Sequence, residues 1–125
     1  LGITDRIAEE LAANDFVPMV GQGCVAVECR EGDSDTLAAI AGVDHARTRF
    51  AVEIERAFLA ELGAGCSLPV GAHLSNDGVF RAFMANDDFS DSVQIVGSIG
   101  DSDDYRVVGI TAAIECRARL AKPLN

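Results

Sequence analysis

The sequence predicts an α+β domain: a three-stranded antiparallel sheet covered on one face by helices, preceded by a segment that does not complete a domain of its own. Three observations carry this. Apolar residues recur every three to four positions over 45–62 and again over 104–121, the period of an amphipathic helix. Between them the period falls to two, in three short runs separated by turn residues. The chain has 125 residues, 49% apolar and 24% charged, the size and balance of one globular domain.

Taken in order, residues 4–13 read as a short helix. Thr4 is its N-cap, and Ile7, Ala8 and Leu11 form a narrow apolar stripe. Residues 16–20, Phe-Val-Pro-Met-Val, are extended, because Pro18 forbids helix and biases Val17 the same way. Gly21-Gln22-Gly23 is a flexible joint; no Lys-Ser/Thr follows it, so it is not a phosphate loop. Cys24 to Cys29 is almost wholly apolar and reads as a strand buried on both faces. Such a strand needs neighbours that nothing before residue 69 supplies. Residues 31–35 form a polar linker and mark the domain boundary: 1–33 incomplete, 34–125 a domain.

Asp33 or Ser34 caps a short helix over 36–41, closed by Gly42. Asp44 caps the helix over 45–62, whose core stripe is Phe50, Ala51, Ile54, Ala57, Phe58 and Leu62, and Gly63 stops it. Val70, Ala72 and Leu74 alternate along the first strand. Asn76-Asp77-Gly78 turns the chain into a return strand over 79–85. Residues 86–91 turn it again into a third strand over 93–99. Asp101 or Ser102 caps the last helix, 104–121, with Tyr105, Val108, Ala112, Cys116 and Leu120 as its buried stripe. Lys122-Pro123 ends it.

Charge narrows the function. Twenty acids against ten bases give a net charge of −10, which phosphate backbones and anionic membranes repel, so neither nucleic acid nor membrane is an expected partner. No apolar run approaches the roughly 20 residues of a membrane span, and residues 1–11 resemble neither a signal nor a transit peptide, which fits a cytoplasmic location. The four cysteines show no secreted disulfide framework, and with two histidines no zinc spacing forms, so no metal is assigned. Asp101, Asp103 and Asp104 read as a capping cluster.

Cys66 stands out. It follows a helix C-terminus, where the dipole disfavours a thiolate, so it is poorly placed as a catalytic nucleophile. Two readings remain open. One is a half-buried loop cysteine. The other is a covalent attachment point, which needs no standing low pKa if the electrophile is reactive; Gly63 and Gly65 would let a bulky group approach the backbone.

Three stretches together resemble one family: Val17 to Gly23 followed by Val27-Glu28-Cys29-Arg30, Glu55-Arg56-Ala57-Phe58-Leu59, and Gly65-Cys66-Ser67-Leu68-Pro69-Val70-Gly71. They are similar to the C-terminal part of porphobilinogen deaminase, also called hydroxymethylbilane synthase. The resemblance implies a transferase of porphyrin and haem biosynthesis that joins porphobilinogen units into a tetrapyrrole. It implies a dipyrromethane cofactor held by Cys66 through a thioether, with Gly65, Gln22, Gly23 and Arg56 on the cofactor side. It also implies that residues 1–20 end the second of three domains, 18–23 are a hinge, and 24–30 are a strand returning to the first domain. The family's catalytic aspartate and most of its substrate-binding basic residues are expected in parts absent from residues 1–125. No catalytic residue is therefore assigned here, and this chain alone is expected to be inactive, with porphobilinogen reaching it only through those parts. The competing expectation is a non-enzymatic binding or structural module with the same fold and an unmodified Cys66. Apolar residues over 16–29 lead to a further expectation of self-association, as a dimer or a strand added to the sheet.

Overall fold

A computed structural model describes residues 2–63, 68–100 and 103–121. Its elements are α1 (Ser34–Ile40), α2 (Ala46–Glu61), β1 (Val70–Leu74), β2 (Val79–Ala85), β3 (Ser92–Ser98) and α3 (Tyr105–Leu120), with single 3-10 turns at Thr4–Arg6 and Ala41–Val43. The strands form one antiparallel sheet in the order β1-β2-β3. Ala72 faces Ala82, and Ala82 faces Ile95, so one side of the sheet carries the alternating apolar set. Ala72, Leu74, Phe80 and Ala82 are buried there against Ile54, Phe58 and Leu62 of α2 and its end and Ala112, Ala113 and Cys116 of α3. This is the α+β domain the period switch predicts.

Helices α2 and α3 meet at unusually close range. Gly109 makes this possible: a Cβ there would lie 2.5 Å from the Ile54 carbonyl oxygen and 2.7 Å from the Ala57 Cβ. The caps differ from expectation in detail. Asp33 does cap α1, accepting from the Thr36 N–H. At α2 the cap is His45, whose Nδ1 accepts from Thr48 N–H, while Asp44 pairs with Arg49 at 2.7 Å instead. Gly42 is not a left-handed stop but part of the 3-10 turn that continues α1. At α3 the cap is Asp104, which accepts from Arg106 N–H; the expected caps Asp101 and Ser102 lie outside the described residues. Gly63 does end α2 in the left-handed region, at φ 60°.

Two expectations for the N-terminal part are corrected. Residues 4–13 make only a 3-10 turn, because Ile7 and Leu11 stay more than half exposed and no packing surface sustains a helix. Residues 24–29 form no strand: Val25 is 86% and Val27 55% exposed, and no described strand pairs with them. A strand buried on both faces needs ladder partners on both edges, and the described residues supply none to 24–29.

The connector before them is seated. Asn14 accepts from Arg81 Nε at 2.8 Å, Pro18 C=O accepts from Ala72 N–H at 3.0 Å, and Val20 packs on the core. The chain thus passes from one side of the sheet to the other around the β1 edge.

Candidate functional site

The cysteine segment lies between two well-anchored ends. Residues 64–67, including the expected anchor Cys66 and its neighbour Gly65, lie outside the described residues. What can be placed is their frame. On the N-terminal side, α2 ends at Glu61, and Arg117 of α3 donates to the Leu62 carbonyl at 2.8 Å. That guanidinium sits at the negative end of the α2 dipole. It offsets part of the electrostatic penalty that a helix C-terminus imposes on a nearby anion. On the C-terminal side, Leu68 C=O accepts from Val70 N–H, and β1 begins.

Arg56 is exposed, about two turns of helix before Gly63. With Leu59, Ala60 and Gly63 it lines a shallow cavity of about 270 Å³. A second shallow cavity, of about 390 Å³, joins Arg56 to Tyr105 and Arg106 across the α2–α3 groove. Gln22 and Gly23 lie elsewhere. They share a cavity of about 220 Å³ with Glu55, Arg47, His73 and Asn76. Gln22 uses its Oε1 to accept from Met19 N–H at 3.1 Å, which closes the connector turn. Arg56 and the Gln22–Gly23 pair thus line different cavities, although Arg56 directly follows Glu55 in α2.

Glu55 is the residue that sequence reasoning missed. It is the buried charged side chain of the described core, 4% exposed. Its Oε2 accepts from Gly21 N–H at 2.7 Å, its Oε1 accepts from Leu74 N–H at 3.0 Å, and His73 Nδ1 lies 3.5 Å from Oε1. The carboxylate therefore ties the connector to β1 from a helix. Together with Pro18 it also occupies the outward N–H groups of the β1 edge, at Ala72 and Leu74. A signal was present: an acid beside Ile54 and four residues after Ala51 sits on the apolar arc of the helix, where a solvated charge does not belong.

The remaining cysteines have no such frame. Cys24 is exposed, Cys29 half-buried and Cys116 fully buried, and all three are free thiols. Burial pushes the Cys116 thiol up to about 11, with the Glu115 carboxylate adding to the effect. No group of three metal-ligating side chains occurs among the described residues, and no described helix is long and apolar enough to cross a membrane.

The fold and its framed segment define a small sheet-and-helix domain that holds a cysteine between a helix end and an edge strand. Two family models match the chain: "Porphobilinogen deaminase, C-terminal domain" over residues 49–122, and "Porphobilinogen deaminase, dipyromethane cofactor binding domain" over residues 1–38. The chain is 42% identical over 127 aligned residues to porphobilinogen deaminases of Mycobacterium leprae and Mycobacterium tuberculosis, covering 92% of this chain. The porphobilinogen deaminase of Mycobacterium ulcerans is also 42% identical over 127 aligned residues. The chain belongs to the porphobilinogen deaminase family. It spans 40% to 41% of the length of these relatives.

Proposed function

We propose that this chain is the C-terminal, cofactor-anchoring portion of a hydroxymethylbilane synthase, with Cys66 as the anchor for dipyrromethane. The observation that carries the reading is the family match over residues 49–122, which contains Cys66 in the stretch Gly65 to Gly71. When bound, dipyrromethane supplies the pyrrole end onto which porphobilinogen units are joined. The chain's own part is to hold it. Cys66 gives the thioether sulfur, and Arg56, exposed beside Gly63, is a guanidinium donor suited to a carboxylate side chain. Arg117 at the α2 C-terminus reduces local repulsion of such an anion. Gly65 is assigned to close approach of the cofactor, and Gln22 and Gly23 to the hinge side of the site. In this reading residues 1–33 belong to the hinge and neighbouring domains, and 34–125 to the anchoring domain. The setting is cytoplasmic.

The described residues fit an anchor better than a catalyst. Arg56 and Arg117 are two cations on a chain of net charge −10, short of the cationic cleft that acetate and propionate groups require. Purified residues 1–125 are expected to make no tetrapyrrole from porphobilinogen. Measurable synthesis by this polypeptide alone would overturn the assignment of catalysis to other parts of the enzyme. Self-association is expected through the exposed end of 16–29. Val17 and Val20 are engaged by β1 and the core, which leaves Phe16, Met19, Val25 and Val27 as the exposed apolar residues. Light scattering giving a clean monomer at high concentration would remove that part.

A further inference from the structure

The two edges of the sheet differ in what covers them. At β1 the outward N–H groups are taken: Ala72 donates to Pro18 C=O and Leu74 to the Glu55 carboxylate. The register fixes which groups the β3 edge presents. Ser75 N–H donates to Val79 C=O and Ala85 N–H to Pro69 C=O, so the odd-numbered residues of β2 bond toward β1. Its even-numbered residues bond toward β3, in the pairs Phe80–Gly97, Ala82–Ile95 and Met84–Val93, and Ile99 N–H donates to Gly78 C=O in the same series. Gln94, Val96 and Ser98 therefore turn their N–H and C=O groups away from the sheet. Among the described residues no strand and no hydrogen bond reaches these groups, and the residues are exposed, Val96 at 59%. Ser92 N–H is closed off, donating to Asp91 Oδ1 at 2.8 Å. The usual guards of an edge strand are missing: Ser92 to Gly100 has no charged residue and no proline.

We propose that the β3 edge is a self-association surface, on which a second copy of the chain adds its own β3 antiparallel, centred on Ile95. In that register Gln94 N–H donates to Val96 C=O of the other copy, and Val96 N–H to its Gln94 C=O. Ser98 N–H donates to its Ser92 C=O without disturbing the Asp91 contact. On the helix-covered face Ile95 meets Ile95 and Val93 meets Gly97, so the apolar layer behind β3 continues across the seam. Charge selects this occupant. The chain carries −10 overall, yet its uncharged stretch pairs with itself, and Asp91 comes opposite Ile99 rather than another acid. Order favours it as well: a second β3 is already extended and held by β2, so it loses less chain entropy than a disordered peptide. Because the β1 edge is occupied in each copy, addition stops at two chains and no fibre grows. This surface is separate from the expected contact through 16–29, and it does not depend on what Cys66 carries.

The test joins sedimentation velocity to amide exchange on the ¹⁵N-labelled chain, from roughly 10 μM to about 1 mM, the range of a weak dimer. The wild-type chain should pass from monomer to dimer over this range. Exchange at Gln94, Val96 and Ser98 should slow with it, while Ile95, already bonded to β2, changes little. Val96→Pro deletes an N–H of the seam but no bond to β2, and should raise the dimer Kd by about tenfold or more. If Val96→Pro does not fold, Val96→Lys serves, since its side chain enters solvent and a charge on the edge should weaken the dimer in the same direction. A chain carrying Val25→Lys and Val27→Lys is the comparison, and should keep the concentration-dependent protection at Gln94 and Val96. A chain that stays monomeric at about 1 mM overturns the proposal. So does a dimer in which Gln94 and Val96 exchange freely. So does a dimer that the Val96 variants leave intact and the Val25 and Val27 substitutions abolish, which assigns association to 16–29 instead.

Discussion

Replacing Gly109 with alanine sets two known effects against each other. Alanine in a helix interior is favoured over glycine by about 1 kcal/mol. The new Cβ would lie 2.5 Å from the Ile54 carbonyl oxygen, 2.7 Å from the Ala57 Cβ and 2.7 Å from the Phe58 nitrogen. All three belong to the rigid part of α2, so no side chain can rotate out of the way. To reach ordinary contact the helices must separate by roughly 1 Å, and overpacking of this kind costs about 1–3 kcal/mol. That separation also loosens Phe58 and Ala113, both fully buried in the shared core. Because each of these approaches is under 3.0 Å and onto rigid atoms, the cost lies at the upper end of that range, and the clash should win with a net loss of about 2 kcal/mol and a Tm lower by roughly 4–8 °C. The chain has no tryptophan and one tyrosine, so thermal unfolding is best followed by far-ultraviolet circular dichroism. Gly42→Ala is the control, since a Cβ there meets nothing within 4 Å, and it should be neutral or slightly stabilising. A Gly109→Ala chain that melts at or above the wild-type temperature would refute the close approach of α2 and α3.

Two further outcomes follow from the titratable groups. Cys116 is buried with its thiol pushed up to about 11, so at pH 8 in the native chain a thiol reagent should label exposed Cys24 well before Cys116; equal rates would contradict the packing of α3. Asp77 is held below the usual carboxylate range by hydrogen bonds from the Ser75 hydroxyl and then from Val79 N–H. Its contribution to stability is therefore present above the unfolded carboxylate pKa and is lost as pH falls through the lower folded value. Asp77→Asn should flatten the acid side of the stability curve below about pH 4, and an unchanged slope would count against the turn geometry.

The sheet and the two long helices were legible because their burial is periodic and completed within the chain. Val70, Ala72 and Leu74 alternate against Phe80 and Ala82, and the α2 stripe closes over them. The apolar run from Cys24 to Cys29 misled for the opposite reason. Its composition reports a burial that requires partners the described residues do not include, and without a ladder it stays irregular. Residues 4–13 had helical spacing but no surface to pack on. At α2, Asp44 and His45 are adjacent residues that can both accept from a first-turn N–H, and sequence does not rank them. Cys66 was conspicuous from its glycine neighbours. The residues that frame it were not, because Glu55 and Arg117 act through backbone groups 19 and 55 residues away in sequence.

The central claim, that Cys66 anchors a dipyrromethane, is open to one direct measurement. The protein is isolated from its own cells and digested with trypsin, which cuts after Arg56 and Arg81 and releases Ala57 to Arg81 with Cys66 as its one cysteine. That peptide should carry the mass of a thioether-linked dipyrromethane and give the pyrrole colour reaction with an aldehyde reagent. The same peptide from a Cys66→Ser chain should carry neither. An unmodified Ala57–Arg81 peptide would contradict the account.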